Sequence, residues 1–197
     1  MDEVMHLSRS MGEEAHRVIE SVGIVKAWED IGATVNIVGS LKTGLMANKR
    51  DIDMHVYTDP FDLLQSFSAV SRIAQNKEIK RITYTNLLDA DDGCVEWHAM
   101  YDNGHGASWQ IDMINILKDS PFAGYFEEVA ERISNALTAE TRRAILEIKY
   151  SIPAEQGVRG IEVYKAVIQD GVRDLGSFNA WRRNNPREEI VMWMPGE

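Results

Sequence analysis

Asp51 and Asp53 stand one residue apart in the run Asp51-Ile52-Asp53-Met54-His55-Val56-Tyr57. Side chains alternate along a strand, so the two carboxylates share a face, about 7 Å apart along the backbone. Two carboxylates on one face repel each other and are costly unless a cation lies between them. Hard divalent cations such as Mg2+ prefer oxygen ligands of this kind, together with water and substrate phosphates. Upstream, with ten residues between it and Asp51, the apolar run Val35-Asn36-Ile37-Val38 ends in Gly39-Ser40. That turn offers backbone N–H groups and a hydroxyl to a phosphate. Metal-bound carboxylates beside such a turn point to phosphoryl or nucleotidyl transfer, and these residues alone do not choose between the two.

Further polar residues extend the set. In the β-like run 107–117, Trp109, Ile111 and Met113 share one face while Gln110 and Asp112 share the other, which supplies a third in-strand carboxylate. Glu96 and His98 share the polar face of Cys94–Tyr101, opposite Val95, Trp97 and Ala99. If that strand neighbours the Asp112 strand, both point toward an acceptor. Glu96 suits an amine or hydroxyl, and His98 suits a substrate group or a phosphate. Lys42, Lys49 and Arg50 lie in or beside the spacer, placed to meet a phosphate or offset the carboxylates; the plainer alternative is a solvated loop. His55 follows the parity of Asp51 and Asp53 one pleat deeper and reads as a satisfied structural histidine. Trp181-Arg182-Arg183 and Trp193 read as packing of a terminal helix or an oligomer contact. Tyr125, Tyr150 and Tyr164 fall on C-terminal helices with no role assigned.

These residues need elements to position them. Val18, Ile19, Val22, Val25, Trp28 and Ile31 recur at spacings of three and four, one apolar helical face. Gly32 ends it before a strand over 33–38. A short helix is expected over 41–47, weakened by Gly44, and a strand over 51–57. Asp59-Pro60 reads as a cap and first turn, starting a helix over 61–75 that buries Leu64, Phe67 and Ala74. Strands follow over 79–87, 94–101 and 107–117, the last two joined across an Asn-Gly hairpin turn. From Ser120-Pro121 the pattern turns helical: 122–137, a second helix capped by Thr138 and ending near 151–153, a third over 161–172, and a last turn at 178–183. Residues 1–119 are therefore expected to form a catalytic α/β unit and residues 120–197 a helical region.

Gly39-Ser40, the ten-residue spacer, Asp51-Ile52-Asp53 and the later Asp112 together resemble the nucleotidyltransferase signature of the DNA polymerase beta superfamily. The resemblance covers residues 33–57 closely and reaches Asp112 more loosely. It implies an α+β fold with a mixed sheet flanked by helices. It implies that Asp51, Asp53 and Asp112 are catalytic and hold two Mg2+ ions, with Asp112 sharing the second ion or taking the acceptor's proton. Gly39 and Ser40 would bind the β- and γ-phosphates of a nucleoside triphosphate. In general style the chain is similar to small members such as the aminoglycoside and lincosamide nucleotidyltransferases. The expected reaction is transfer of a nucleoside monophosphate, AMP from ATP, to a hydroxyl of a small molecule, with pyrophosphate released. Two alternatives stand beside it: modification of a protein or an RNA end, and a catalytically silent nucleotide-binding module.

Composition bounds the rest. At 44% apolar and 26% charged, the chain has the balance of a soluble globular protein. No apolar run approaches a membrane span, and Met1-Asp2-Glu3-Val4-Met5-His6 lacks the character of a signal peptide. Cys94 is the single cysteine, which excludes an internal disulfide and, without an export signal, fits a reducing cytoplasm. The net charge of −10, most of it in the first 120 residues, argues against nucleic acid as a partner. Oligomeric state is not fixed by the sequence.

Overall fold

A computed structural model describes residues 3–106, 108–153, 156–185 and 192–196 of the 197-residue chain. The N-terminal apolar stripe is carried by two helices, α1 (Glu3–Val22) and α2 (Ile24–Glu29). Gly23, at φ 72°, breaks the helix between them without interrupting the buried face. Strand β1 (Thr34–Ile37) leads into a short helix α3 (Gly39–Thr43), which Gly44 ends in a left-handed cap, and then β2 (Asp51–Tyr57). After helix α4 (Leu63–Ile73) come β3 (Ile79–Leu87), β4 (Cys94–Tyr101) and β5 (Trp109–Ile116).

The five strands form one mixed sheet in the order β1-β2-β5-β4-β3. Only β2 and β5 run parallel; the other pairs are antiparallel. The strand alternation sends Ile52, Met54, Val56, Val95, Trp97, Ala99, Ile111 and Met113 to one face. There they pack with Val18, Ile19 and Trp28 of α1 and α2 and with Ala69, Val70 and Ile73 of α4. Two indole N–H groups in this core are satisfied: Trp28 donates to the Met113 sulfur at 3.4 Å and Trp97 to the Ser66 hydroxyl at 2.9 Å.

Helix α4 differs from expectation. Its cap is Asp62, whose carboxylate accepts the N–H groups of Leu64 and Gln65, and Asp59-Pro60 lies in the preceding loop. Ser66, Ala69, Val70 and Ile73, an i, i+3, i+4, i+7 stripe, face the sheet, while Leu64 is 79% exposed and Ala74 is exposed. Phe67 is half-exposed and packs edge-on against Trp97, with ring centroids 4.7 Å apart.

The remaining helices are α5 (Tyr125–Ala136), α6 (Ala139–Ser151), α7 (Gly160–Ile168) and α8 (Leu175–Asn184). Thr138 caps α6 as the sequence indicates, exchanging hydrogen bonds with Thr141. Val129, Ile133, Ile145, Leu146, Val163, Val167, Phe178 and Trp193 make a second core. Leu45, from the segment between α3 and β2, is fully buried in it. Trp181 stacks on Phe178 and donates to Asp170, which makes the tail aromatics part of this packing.

Candidate active site

The three acidic residues are brought together by strand register. Asp53 of β2 lies directly across from Asp112 of the parallel strand β5, and Asp51 lies across from Gln110. On its other side Asp112 faces His98 of β4. A row Asp53–Asp112–His98 therefore crosses three strands on the face opposite the sheet core, at about 4.8 Å per strand. Glu96 lies one pleat along β4 from His98.

The electrostatics of this row are unfavourable as they stand. Burial, the charges of Asp112 and Asp51 push the Asp53 carboxyl up to about 6. Burial also raises Asp51, with Lys49 pulling the other way and Asp112 adding to the rise. Among the described residues neither Asp51 nor Asp53 has a side-chain ion pair, so a cation between them would relieve the repulsion. The oxygen-only donor set fits Mg2+ better than a softer metal. Among the described residues, no three His, Cys, Asp or Glu side chains are gathered into a cation-binding cluster. Asp112 is instead engaged by His98 at 2.7 Å and by the Gln110 amide at 3.0 and 3.1 Å. Burial pulls the His98 imidazole down, but Asp112 and Glu96 outweigh it and hold the ring above its usual range.

Gly39 is required where it stands. Its φ is +63°, and a Cβ there would collide with the Asp53 carboxylate. The backbone thus crosses directly over Asp53, and α3 begins there. Ser40 follows, its hydroxyl 2.9 Å from the Tyr164 hydroxyl and 3.1 Å from the Lys149 ammonium. Lys149 also donates to the Leu45 carbonyl at 2.6 Å and to Tyr164 at 3.1 Å.

Two hollows meet at Asp53. One, of about 230 Å3, is lined by Ser40, Lys49, Asp51, Asp53, Lys149 and Arg159. The other, of about 490 Å3, joins Gly39, Asp53, Asp112, Glu96 and His98 to an apolar wall that includes Phe126, Val129 and Ile133 of α5. Ser40, Asp53, Arg159 and Gly160 line both. Behind the wall, Glu127 of α5 accepts hydrogen bonds from Tyr57 at 2.8 Å, from Asn36 at 3.3 Å and from His55 Nδ1 at 3.1 Å. His55 is buried and partnered, in its structural place.

The expected phosphate-side residues divide. Gly39, Ser40 and Lys49 are at the cleft; Lys49 donates to the Val158 carbonyl at 3.0 Å. Lys42 is not: two positions beyond Ser40 on α3, it is turned about 200° around the helix axis and lines a separate hollow with His16 and Glu127. Arg50 is also elsewhere. One residue before Asp51, it has the opposite strand parity, and its guanidinium meets Glu14 at 2.7 Å and lies over Trp109. Sequence reasoning left Lys149, Arg159 and Gln110 without roles and Tyr164 unassigned. Lys149 and Tyr164 reach the Gly-Ser turn from more than a hundred residues away, which no local pattern signals.

No family model and no curated protein matches the chain. Solved structures do share its architecture. One is a complex of the non-canonical poly(A) polymerase GLD-2 with GLD-3, at 12% identity and TM-score 0.55 over 89% of this chain and 61% of that one. Another is the Cid1 poly(U) polymerase with MgGTP bound, at 16% identity and TM-score 0.50 over 75% of this chain and 47% of that one. The chain has the nucleotidyltransferase fold. It spans about half to three-fifths of the length of these neighbours.

The likeness corrects one expectation. The acidic net charge argues against nucleic acid, yet the neighbours with this fold are, by name, a poly(U) and a poly(A) polymerase, whose products are nucleic acid. Net charge averages over the whole surface, whereas a polyanion meets the local field. Here Lys49, Lys149 and Arg159 line the smaller hollow against Asp51 and Asp53, so its charged lining is not acidic although the chain's total is −10. Among the described residues no helix is long and apolar enough to cross a membrane.

Proposed function

We propose that this protein is a metal-dependent nucleotidyltransferase that joins a nucleoside monophosphate, taken from a nucleoside triphosphate, to the hydroxyl end of an RNA chain and releases pyrophosphate. The observation that carries the chemistry is the pairing of Asp53 with Asp112 on adjoining parallel strands, with Asp51 one pleat away and Gly39 held against Asp53. The names of the fold neighbours support the acceptor.

Asp51, Asp53 and Asp112 would hold Mg2+. When bound, such ions neutralise triphosphate charge and make the acceptor hydroxyl a better nucleophile. The chain's own groups do the positioning. The Ser40 hydroxyl and the Lys149 ammonium, 3.1 Å apart, grip the terminal phosphates in the smaller hollow, and Lys49 offsets charge beside Asp51. Phe126, Val129 and Ile133 exclude water from the larger hollow and receive the flat faces of the nucleoside. Glu96 and His98 lie on the acceptor side. The acceptor oxygen attacks the α-phosphorus as the bond to pyrophosphate breaks opposite it, and most of the acceleration comes from alignment and charge stabilisation.

The test is incubation with each of four labelled nucleoside triphosphates, Mg2+ and a short RNA. Lengthening of the RNA, lost in Asp53→Ala, is the expected result. Label appearing only in proteins or small compounds of a cell extract would keep the chemistry and move the acceptor. No pyrophosphate with any nucleotide and acceptor would sink the reading.

A further inference from the structure

We propose that His98, braced by Glu96, is a positioning residue that fixes Asp112 for the reaction, and that Gln110 is a placeholder on Asp112 which the bound cation displaces. The proposal rests on the nucleotidyl-transfer reading above.

The imidazole is held at both ends: Nδ1 is 2.7 Å from Asp112 Oδ1, and Nε2 is 3.3 Å from Glu96 Oε2. Glu96 and His98 project from the same face of β4, and His98 is the direct cross-strand neighbour of Asp112. Two strands of one sheet thus set this grip, with no loop to loosen it. Gln110 is different. It is exposed, two residues before Asp112 on the same face, and its amide donates to both Oδ1 and Oδ2. Among the described residues Oδ1 therefore has two donors and Oδ2 has Gln110 alone. A neutral amide on an exposed side chain yields to a divalent cation, which frees Oδ2 while His98 keeps Oδ1 oriented. Outer groups that orient metal-binding carboxylates commonly change affinity or activity 10–100-fold when removed. Among the described residues Asp51 and Asp53 have no comparable donor to their carboxylates, so Asp112 is the one oriented in advance.

The chemistry of the side chains separates the two roles. The Nδ2 amide of Asn overlays the Nδ1 position of His, so His98→Asn keeps the grip on Asp112 and drops the link to Glu96. His98→Gln places its amide near the Nε2 position and loses the grip. The experiment titrates Mn2+ into the full chain by calorimetry and, in parallel, measures kcat and KM for RNA extension, with circular dichroism as the folding control. His98→Ala and His98→Gln should weaken Mn2+ binding about tenfold or more and lower kcat, with the acceptor KM little changed. His98→Asn should stay within about threefold of wild type, and Gln110→Ala should bind Mn2+ as tightly as wild type or more tightly. If His98→Ala does not fold, the contrast between the Asn and Gln variants decides. Equal Mn2+ affinity in the Asn and Gln variants, or a loss in Gln110→Ala as large as theirs, overturns the proposal. Mn2+ binding that is absent in wild type, or that survives Asp53→Asn, overturns the nucleotidyl-transfer reading and this proposal with it.

Discussion

Asp53 bears the electrostatic cost of the site. Its carboxyl titrates near 6 in the folded chain and near 3.8 when exposed, so the folded state binds the proton more tightly. Stability from this group is therefore greatest at low pH and declines as pH rises through about 4 to 6. Above that range the full penalty applies, on the order of 1–3 kcal/mol. Asp53→Asn should accordingly stabilise the metal-free protein at pH 7.5 by that order in urea unfolding, while abolishing transfer. Added Mg2+ should raise the Tm of wild type at pH 7.5, do so less at pH 5, and leave Asp53→Asn unmoved. Gly39→Ala meets two obstacles, a left-handed φ and the Asp53 carboxylate in the space of its Cβ. It should reduce turnover at least about 100-fold. At this scale the sequence was informative where a residue's neighbours are local. Gly39, Ser40, Asp51 and Asp53 lie within fifteen positions, and strand parity placed Asp112 on the matching face. Arg50, one residue before Asp51, has the opposite parity and accordingly points away from the site toward Glu14. Lys149 and Gln110 were illegible because their roles come from partners across the fold.

Among the elements, α5 forms the apolar wall of the larger hollow and is tied to the sheet through one carboxylate. Burial works against ionisation of Glu127, but hydrogen bonds from His55 and Tyr57 outweigh it and bring it down to about 2. A lowered folded pKa contributes stability that is full above the ordinary value of 4.5 and is lost as pH falls toward 2. Glu127→Ala should cost about 2–4 kcal/mol at pH 7, because it leaves the buried His55 and the half-buried Tyr57 without their acceptor. The deficit should shrink in unfolding curves taken below pH 4. The helices and strands themselves were largely readable from periodicity and caps. Helix α4 was not, since Asp59-Pro60 and Asp62, three residues apart, both resemble starts, and its large apolar residues Leu64 and Phe67 compete with the smaller stripe Ser66, Ala69, Val70 and Ile73 that the sheet covers. Nor was the strand order readable: β5 enters between β2 and β4, and that placement makes Asp53 and Asp112 neighbours. Such pairing is decided by long-range packing, which no window of sequence contains.

Over the whole molecule, two apolar cores meet along a polar seam, and residues 43–49 run through it. Arg142 donates to the carbonyls of Thr43 and Gly44, Lys149 to Leu45, Asn48 to Ile152 and Lys49 to Val158. A nucleotide bound here contacts both cores at once and should stabilise the protein by about 2.7 kcal/mol at a hundredfold excess over its Kd. Lys149→Ala should lose most of that increment, measured as the ATP-dependent rise in Tm. The grip of Lys149 on Ser40 and Leu45 has a kinetic consequence. Helix α6 is already drawn onto the Gly39-Ser40 turn by Lys149, so an incoming phosphate exchanges partners with an ammonium that hardly moves. Association of nucleotide should then be a single step, with an observed rate that rises linearly with concentration and no slower isomerisation phase behind it.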